Sequence, residues 1–187
     1  MDTLPPIRPA ARSAMALRLV LGSLLTMPYL ALVSQAHADD GSQLPPNVLP
    51  AYKQECAACH IAYPPAFLPS GSWSSIMNGL GQHYGTDASL DEATVRQISV
   101  WLQAHAGTAR RVKEPPPEDR ITRSAWFERK HRKIDPQVWK HPAVKSAANC
   151  AACHTRADSG DYDDDNVAFP ASLDARYRRA WSDNDHR

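Results

Sequence analysis

The sequence predicts a mainly α-helical chain with much irregular coil, divided into two small halves. Three observations predict it. Apolar residues recur at helical spacing in short stretches. KEPPPED, at 113–119, interrupts the chain with three consecutive prolines, which neither a helix interior nor a central strand accepts. All four cysteines lie in two copies of one hexapeptide, ECAACH at 55–60 and NCAACH at 149–154.

In chain order, residues 1–38 read as an address and not as structure. Arg8, Arg12 and Arg18 precede an apolar run from Leu19 to Val33, and Ala36-His37-Ala38 is a small-x-small cleavage site, so the mature chain is expected to begin at Asp39. The run is shorter than the roughly 20 residues a span needs, which favours a cleaved signal over a retained anchor. Met15 offers an alternative start with a more compact signal, and no Arg-Arg pair points to a twin-arginine route. The expected location is the periplasm.

Residues 39–112 form the first expected domain. Leu49, Tyr52 and Cys56 share a helical face that leads into the first hexapeptide. A bend at Tyr63-Pro64-Pro65 to Pro69 follows, and then a helix with Trp73, Ile76, Met77 and Leu80 on one side that stops near Gly81. Ser89-Leu90-Asp91-Glu92 reads as a capping box for the clearest helix, whose inner face is Val95, Ile98, Trp101, Leu102 and His105 and which Gly107 closes. Residues 113–119 are an extended proline-rich linker. The second domain, 120–187, is less regular. Trp126 and Phe127 precede a basic cluster, Asp135-Pro136 reads as a helix start, and residues 144–154 are expected to form a helix ending in the second hexapeptide. The tail is expected to be coil with a turn or two of helix.

The repeated string carries the chemistry. In C-x-x-C-H two thiols three positions apart can each form a thioether with a haem vinyl group, while the adjacent His is held against the iron. Export to an oxidising compartment would otherwise suggest disulfides, but disulfides need no His. Zinc knuckles of this type lie about 15–20 residues apart, far closer than Cys59 is to Cys150. Two covalent c-type haems are therefore expected, on Cys56 and Cys59 and on Cys150 and Cys153, with His60 and His154 as proximal iron ligands. Halves of this size bury little apolar surface unaided, so the cofactors would make up most of each core. Tyr63, three residues after His60, is expected to pack against haem or between the two haems.

Lys plus Arg total 21 against 20 Asp plus Glu, a balance that argues against a nucleic-acid partner. Locally, Arg129, Lys130, Arg132 and Lys133 surround His131, where they would steer an acidic partner or simply keep the surface soluble. The acidic run at 161–165 lacks the glycine and distal Glu of a calcium loop and reads as a solvated turn.

The sixth ligand decides between electron transfer and chemistry on a bound molecule. Met77 is the only Met after residue 38, and its helical stripe makes it a core residue. His83, in Gly81-Gln82-His83-Tyr84-Gly85, is favoured for the first iron. No Met follows the second motif, so His131 and His141 compete for the second iron, with His186 near the terminus. His105 suits a helix C-cap better than ligation.

From Asn47 onward, ECAACH, AYPP, SW with IM, HYGTDASL and WL, then RITRSAWF, His131, WK, NCAACH, Gly160 and Pro170, the chain resembles the periplasmic dihaem cytochromes c called DHC. The resemblance implies a class I cytochrome c-like N-terminal domain, an irregular haem-packed C-terminal domain, and two His ligands on each iron. By matching position these are His60 with His83 and His154 with His131. It also implies a small oxygen-binding monohaem cytochrome c as acceptor and a membrane cytochrome b as donor. The competing class is a small dihaem peroxidase or nitrogen-oxide reductase with one open iron. A redox or gas sensor ranks third, since no signalling domain follows.

Overall fold

The computed structural model describes residues 44–108, 112 and 114–182. The expected signal and its cleavage site, residues 109–111, Lys113 and His186 lie outside the described residues, all of which fall within one compact unit, Ala36–Arg187. Six α-helices and several single 3-10 turns make up the described chain, with isolated β-bridges and no named strand. Among these residues no helix is long and apolar enough to cross a membrane.

Helix α1 spans Pro50–Cys56, with proline at its first position, where the missing N–H costs nothing. It therefore delivers Cys56 at its last turn. Helix α2 spans Ser70–Asn78 and α3 spans Glu92–His105. Tyr52, Ala62, Leu68, Trp73, Met77, Ile98 and Leu102 from these elements form one buried cluster, so Met77 is core as its spacing predicts. The Trp73 indole N–H donates to the Pro65 carbonyl at 2.7 Å and fixes the proline-rich bend against α2. The chain leaving α3 returns to this bend. Gly107 N–H donates to Leu68 at 2.8 Å, and a Cβ at Gly107 would overlap Val112 and the Ala66 carbonyl.

Several expected boundaries move: α2 ends at Asn78, short of Gly81, and Leu80 opens a separate 3-10 turn. Asp91, and not Ser89, caps α3: its carboxylate accepts the N–H groups of Ala93 and Thr94, while the Ser89 N–H is taken by Asp87. The expected helix over 144–154 is replaced by turns and a single 3-10 turn at Cys150–Ala152. Lys145 adopts φ 69°, which ends any right-handed helix there, and the Asn149 side chain donates to the Val144 carbonyl at 2.9 Å.

The proline linker is extended at Pro116 and then closes into a 3-10 turn at Pro117–Asp119 that packs against α2. Beyond it, α4 (Ala125–Lys130) is capped by Ser124, and α5 (Pro136–Lys140) by Asp135 ahead of Pro136, as expected. Helix α6 covers Ala175–Ser182. The buried cluster here is only Val138, Val144 and Leu173, edged by Ile134, Trp139, Ala152, Phe169 and Tyr177. Phe127 and Ala157 are buried apart from this cluster, and so small and divided a core needs a further apolar body to hold one conformation. Phe67 joins the two regions, 5.0 Å ring to ring from both Trp126 and Tyr162.

Candidate haem sites

The first hexapeptide leaves α1 in a tight turn that exposes Cys59 and leaves Cys56 half-buried. His60 Nδ1 lies 2.6 Å from the Ile61 carbonyl, which makes Nδ1 the protonated nitrogen and frees Nε2 for a metal. Facing it is His83, its ring centroid 6.3 Å away and the planes 27° apart. The 3-10 turn Leu80–Gln82 and a bond from the His83 N–H to Leu80 (3.2 Å) place this side chain, and Gly85 at φ 95° turns the chain away behind it.

At the second hexapeptide, His154 faces His131 at 6.2 Å with the planes 69° apart. His131 ends α4, where its Nδ1 bonds the Phe127 carbonyl at 2.9 Å and its ring stacks on Phe127 at 4.0 Å. His141, its sequence competitor, accepts the Ala143 N–H at 3.2 Å within its own turn. His105 bonds the Trp101 carbonyl at the end of α3, the capping role its position suggests.

Both separations have a direct physical meaning. A metal–imidazole bond of about 2 Å on each side, plus roughly 1 Å from ligand nitrogen to ring centre, sets two trans imidazoles about 6 Å apart. The two ring-centre separations, 6.3 and 6.2 Å, lie close to that value. Among the described residues no three His, Cys, Asp or Glu side chains converge on a metal. A haem needs only two protein ligands, because the porphyrin supplies the other four.

The surroundings fit that group. Burial holds His83, His131 and His154 below the usual imidazole range, keeping the neutral, ligating form; for His83 the charges of His60 and Arg120 add to this. Burial pushes the Cys56 and Cys150 thiols up to about 11, the opposite of a reactive redox thiolate. Among the described residues the Trp101 indole N–H, the Tyr162 hydroxyl and His154 Nδ1 are buried with no hydrogen-bond partner. Buried donors of this kind need an acceptor, and haem propionates are carboxylates.

Residues 52–162, more than half of the chain, match the dihaem cytochrome c family. The chain belongs to that family. The crystal structure of the dihaem cytochrome c of Shewanella baltica OS155 is similar at 35% identity and TM-score 0.58, covering 65% of this chain and 93% of the other. Two structures of the Rhodobacter sphaeroides protein are similar at 41% and 40% identity, with TM-scores of 0.53 and 0.54. They cover 61% and 62% of this chain and 96% of theirs. No curated protein matches the chain. As a dihaem cytochrome c it carries two c-type haems on Cys56/Cys59 and Cys150/Cys153 and acts as a haem-based electron carrier.

Sequence reasoning does not place several residues that shape the sites. Phe127 and Trp139 flank His131, and Tyr162 stands 5.3 Å from His154. The available signals are the place of Phe127 four residues before His131 and the aromatic type of Tyr162 eight residues after His154. Tyr63, which its position marks, stacks its ring on His60 at 4.8 Å. Its hydroxyl donates to the Ala148 carbonyl at 2.7 Å, two residues before Cys150.

Proposed function

We propose that this chain is a periplasmic relay that passes single electrons through two low-potential haems, each held by two histidines: His60 with His83, and His154 with His131. When bound, each haem supplies an iron that alternates between ferric and ferrous states. The chain's own residues hold that iron closed, shield it from water and bring the two sites together. The observation that supports this reading is the pair of facing imidazoles at 6.3 and 6.2 Å.

Two imidazoles have electrostatic consequences. Imidazole lacks the thioether's preference for ferrous iron, so both centres sit at lower potential than a His/Met cytochrome. The Nδ1–carbonyl bonds of His60 and His131 increase the basicity of the ligating nitrogen and push in the same direction. An iron held by both histidines of its pair would have no position left for oxygen or peroxide.

Tyr63 gives the two sites a short physical connection. From the His60 ring to the Tyr63 ring, and through one hydrogen bond to the backbone that carries Cys150, no solvent-filled gap is needed. The first region, with its motif at the end of a helix and α3 closing the core, suits a class I-like domain. The region after the linker, with its three-residue buried cluster, suits an irregular one packed around haem.

Arg129, Lys130, Arg132 and Lys133 flank His131 in the chain, the first three of them exposed. Arg129 and Arg132 donate to backbone carbonyls, and Lys130 lies 3.7 Å from Asp164. A surface of this sign beside the second site suits delivery of electrons to an acidic partner such as a small oxygen-binding monohaem cytochrome c, with a membrane cytochrome b as donor. Its effect would fall on the association rate and weaken with salt.

Adding carbon monoxide to the dithionite-reduced protein tests the closed-iron reading. An unchanged Soret band is the expected result. A shifted band means an open iron and a catalytic or ligand-binding role.

A further inference from the structure

The loop behind His83 is bound to the proline linker by a compact set of contacts. Tyr84 points its hydroxyl at the carbonyls of Glu118 (3.1 Å) and Asp119 (3.0 Å). The Arg120 guanidinium carbon lies 4.2 Å from the centre of the Tyr84 ring, within cation–π range. The Glu118 carboxylate holds that guanidinium in place, accepting from Arg120 Nε at 3.0 Å and from Arg123 Nη1 at 2.7 Å. Tyr84 in turn meets the His83 ring edge to face at 4.8 Å.

This contact is also where the backbone is strained. Among the described residues four non-glycine residues have positive φ, and three of them, Tyr84 (51°), Glu118 (56°) and Asp119 (53°), meet here. A non-glycine residue in this conformation is strained and persists only where its surroundings over-determine it. Tyr84 is 43% exposed, so core burial does not explain why a large aromatic is held in this conformation. Its specific partners do.

We propose that Tyr84 and Arg120 are positioning residues for the distal ligand of the first haem. They hold His83 against the iron, and the Arg120 cation raises that haem's potential relative to what its two imidazoles alone would set. The inference rests on the reading of His83 as a ligand. Tyr84 fixes the residue directly behind His83 to two carbonyls of a turn that itself packs on α2. Displacing the backbone that carries His83 therefore disturbs the Tyr84 hydroxyl bond shared by the two carbonyls and the cation–π contact, and the edge of the Tyr84 ring limits the room left to the imidazole. The Glu118 bridge ties the same cation to Arg123, so the state of the linker reaches the first iron's sixth ligand. At the second site His131 is held instead by its own helix end, and among the described residues no comparable tyrosine–arginine contact stands behind it.

The test uses the two-haem holoprotein carrying Tyr84→Ala, Tyr84→Phe, Arg120→Gln or His83→Ala. In Tyr84→Ala one haem of the two becomes reactive to carbon monoxide when reduced, and cyanide replaces its distal ligand about tenfold faster in the ferric state, the factor for losing a hydrogen bond of ordinary net strength. Tyr84→Phe retains the ring, loses only the hydroxyl bonds and falls between parent and Tyr84→Ala. Arg120→Gln lowers one of the two midpoint potentials and leaves the other in place. A folded Tyr84→Ala protein with parental cyanide kinetics and carbon monoxide silence overturns the positioning role. Unchanged potentials in Arg120→Gln overturn the electrostatic role, and that variant also carries the kinetic test should Tyr84→Ala fail to mature. His83→Ala separates the two levels. If it leaves both haems low-spin, the ligand assignment itself is wrong; if it opens one haem while the Tyr84 variants do nothing, only the clasp is.

Discussion

The hydroxyl of Tyr63 donates to the carbonyl of Ala148 at 2.7 Å across 85 positions of sequence, while the same ring stacks on His60. One side chain thus touches the first proximal imidazole and the backbone that carries the second attachment motif. Tyr63→Phe keeps the stack and removes the bond. Inter-haem electron exchange, followed after photoreduction of one centre, should slow several-fold with both absorption spectra unchanged, and stability should fall by about 1 kcal/mol. An unaltered rate would reduce Tyr63 to packing.

His131 and His141 make opposite predictions. His131→Ala should convert one of the two ferric haems to high spin, because its ring faces His154 at 6.2 Å. His141→Ala should leave both low-spin, since it removes only a turn contact to Ala143. Ferric absorption and electron paramagnetic resonance spectra read the outcome, and the reverse pattern would reassign the ligand.

Phe127 is 8% exposed and supports His131 from below at 4.0 Å. Truncating a buried phenylalanine costs about 3 kcal/mol. Phe127→Ala should therefore lower the denaturation midpoint and broaden the spectrum of the second haem while sparing the first. Denaturant titration monitored at the Soret band measures both.

Much of this arrangement is legible in the sequence, and the departures share physical causes. The Leu49, Tyr52, Cys56 spacing ahead of the first motif, Asp135-Pro136 at a helix start and the Met77 stripe are local signals, and these elements stand where their residues put them. The cap of α3 lies two residues beyond the expected one because Ser89 and Asp91 both suit the position. The aspartate prevails because its single carboxylate serves two N–H groups and the Thr94 hydroxyl. The helix expected over 144–154 fails because Asn149 bonds a backbone carbonyl and Lys145 turns left-handed. The pairing of Tyr84 with Glu118 is invisible because nothing in a linear pattern marks a contact 34 positions apart. The second region gives the weakest pattern because its core is to be completed by a cofactor, and hydrophobic periodicity reports only what side chains bury.

Asp91 supplies a pH test. Its hydrogen bonds with Thr94 and Ala93 hold its carboxyl below the usual carboxylate range. A depressed folded-state value means the contribution is complete above the ordinary value of about 3.9 and is lost as pH falls through the lower folded one. Asp91→Ala should lower the Tm by a few degrees at neutral pH, with the gap to the parent closing in strong acid. A gap that does not change with pH would assign the effect to something other than the charged cap.

The claim on which the rest depends is that each iron is closed by two imidazoles. Near-infrared magnetic circular dichroism of the ferric holoprotein reads the axial pair of every low-spin haem at once. The account predicts one charge-transfer band at the bis-histidine position, with intensity for two haems per chain. A His/Met band, a high-spin signal or the intensity of a single haem would contradict it.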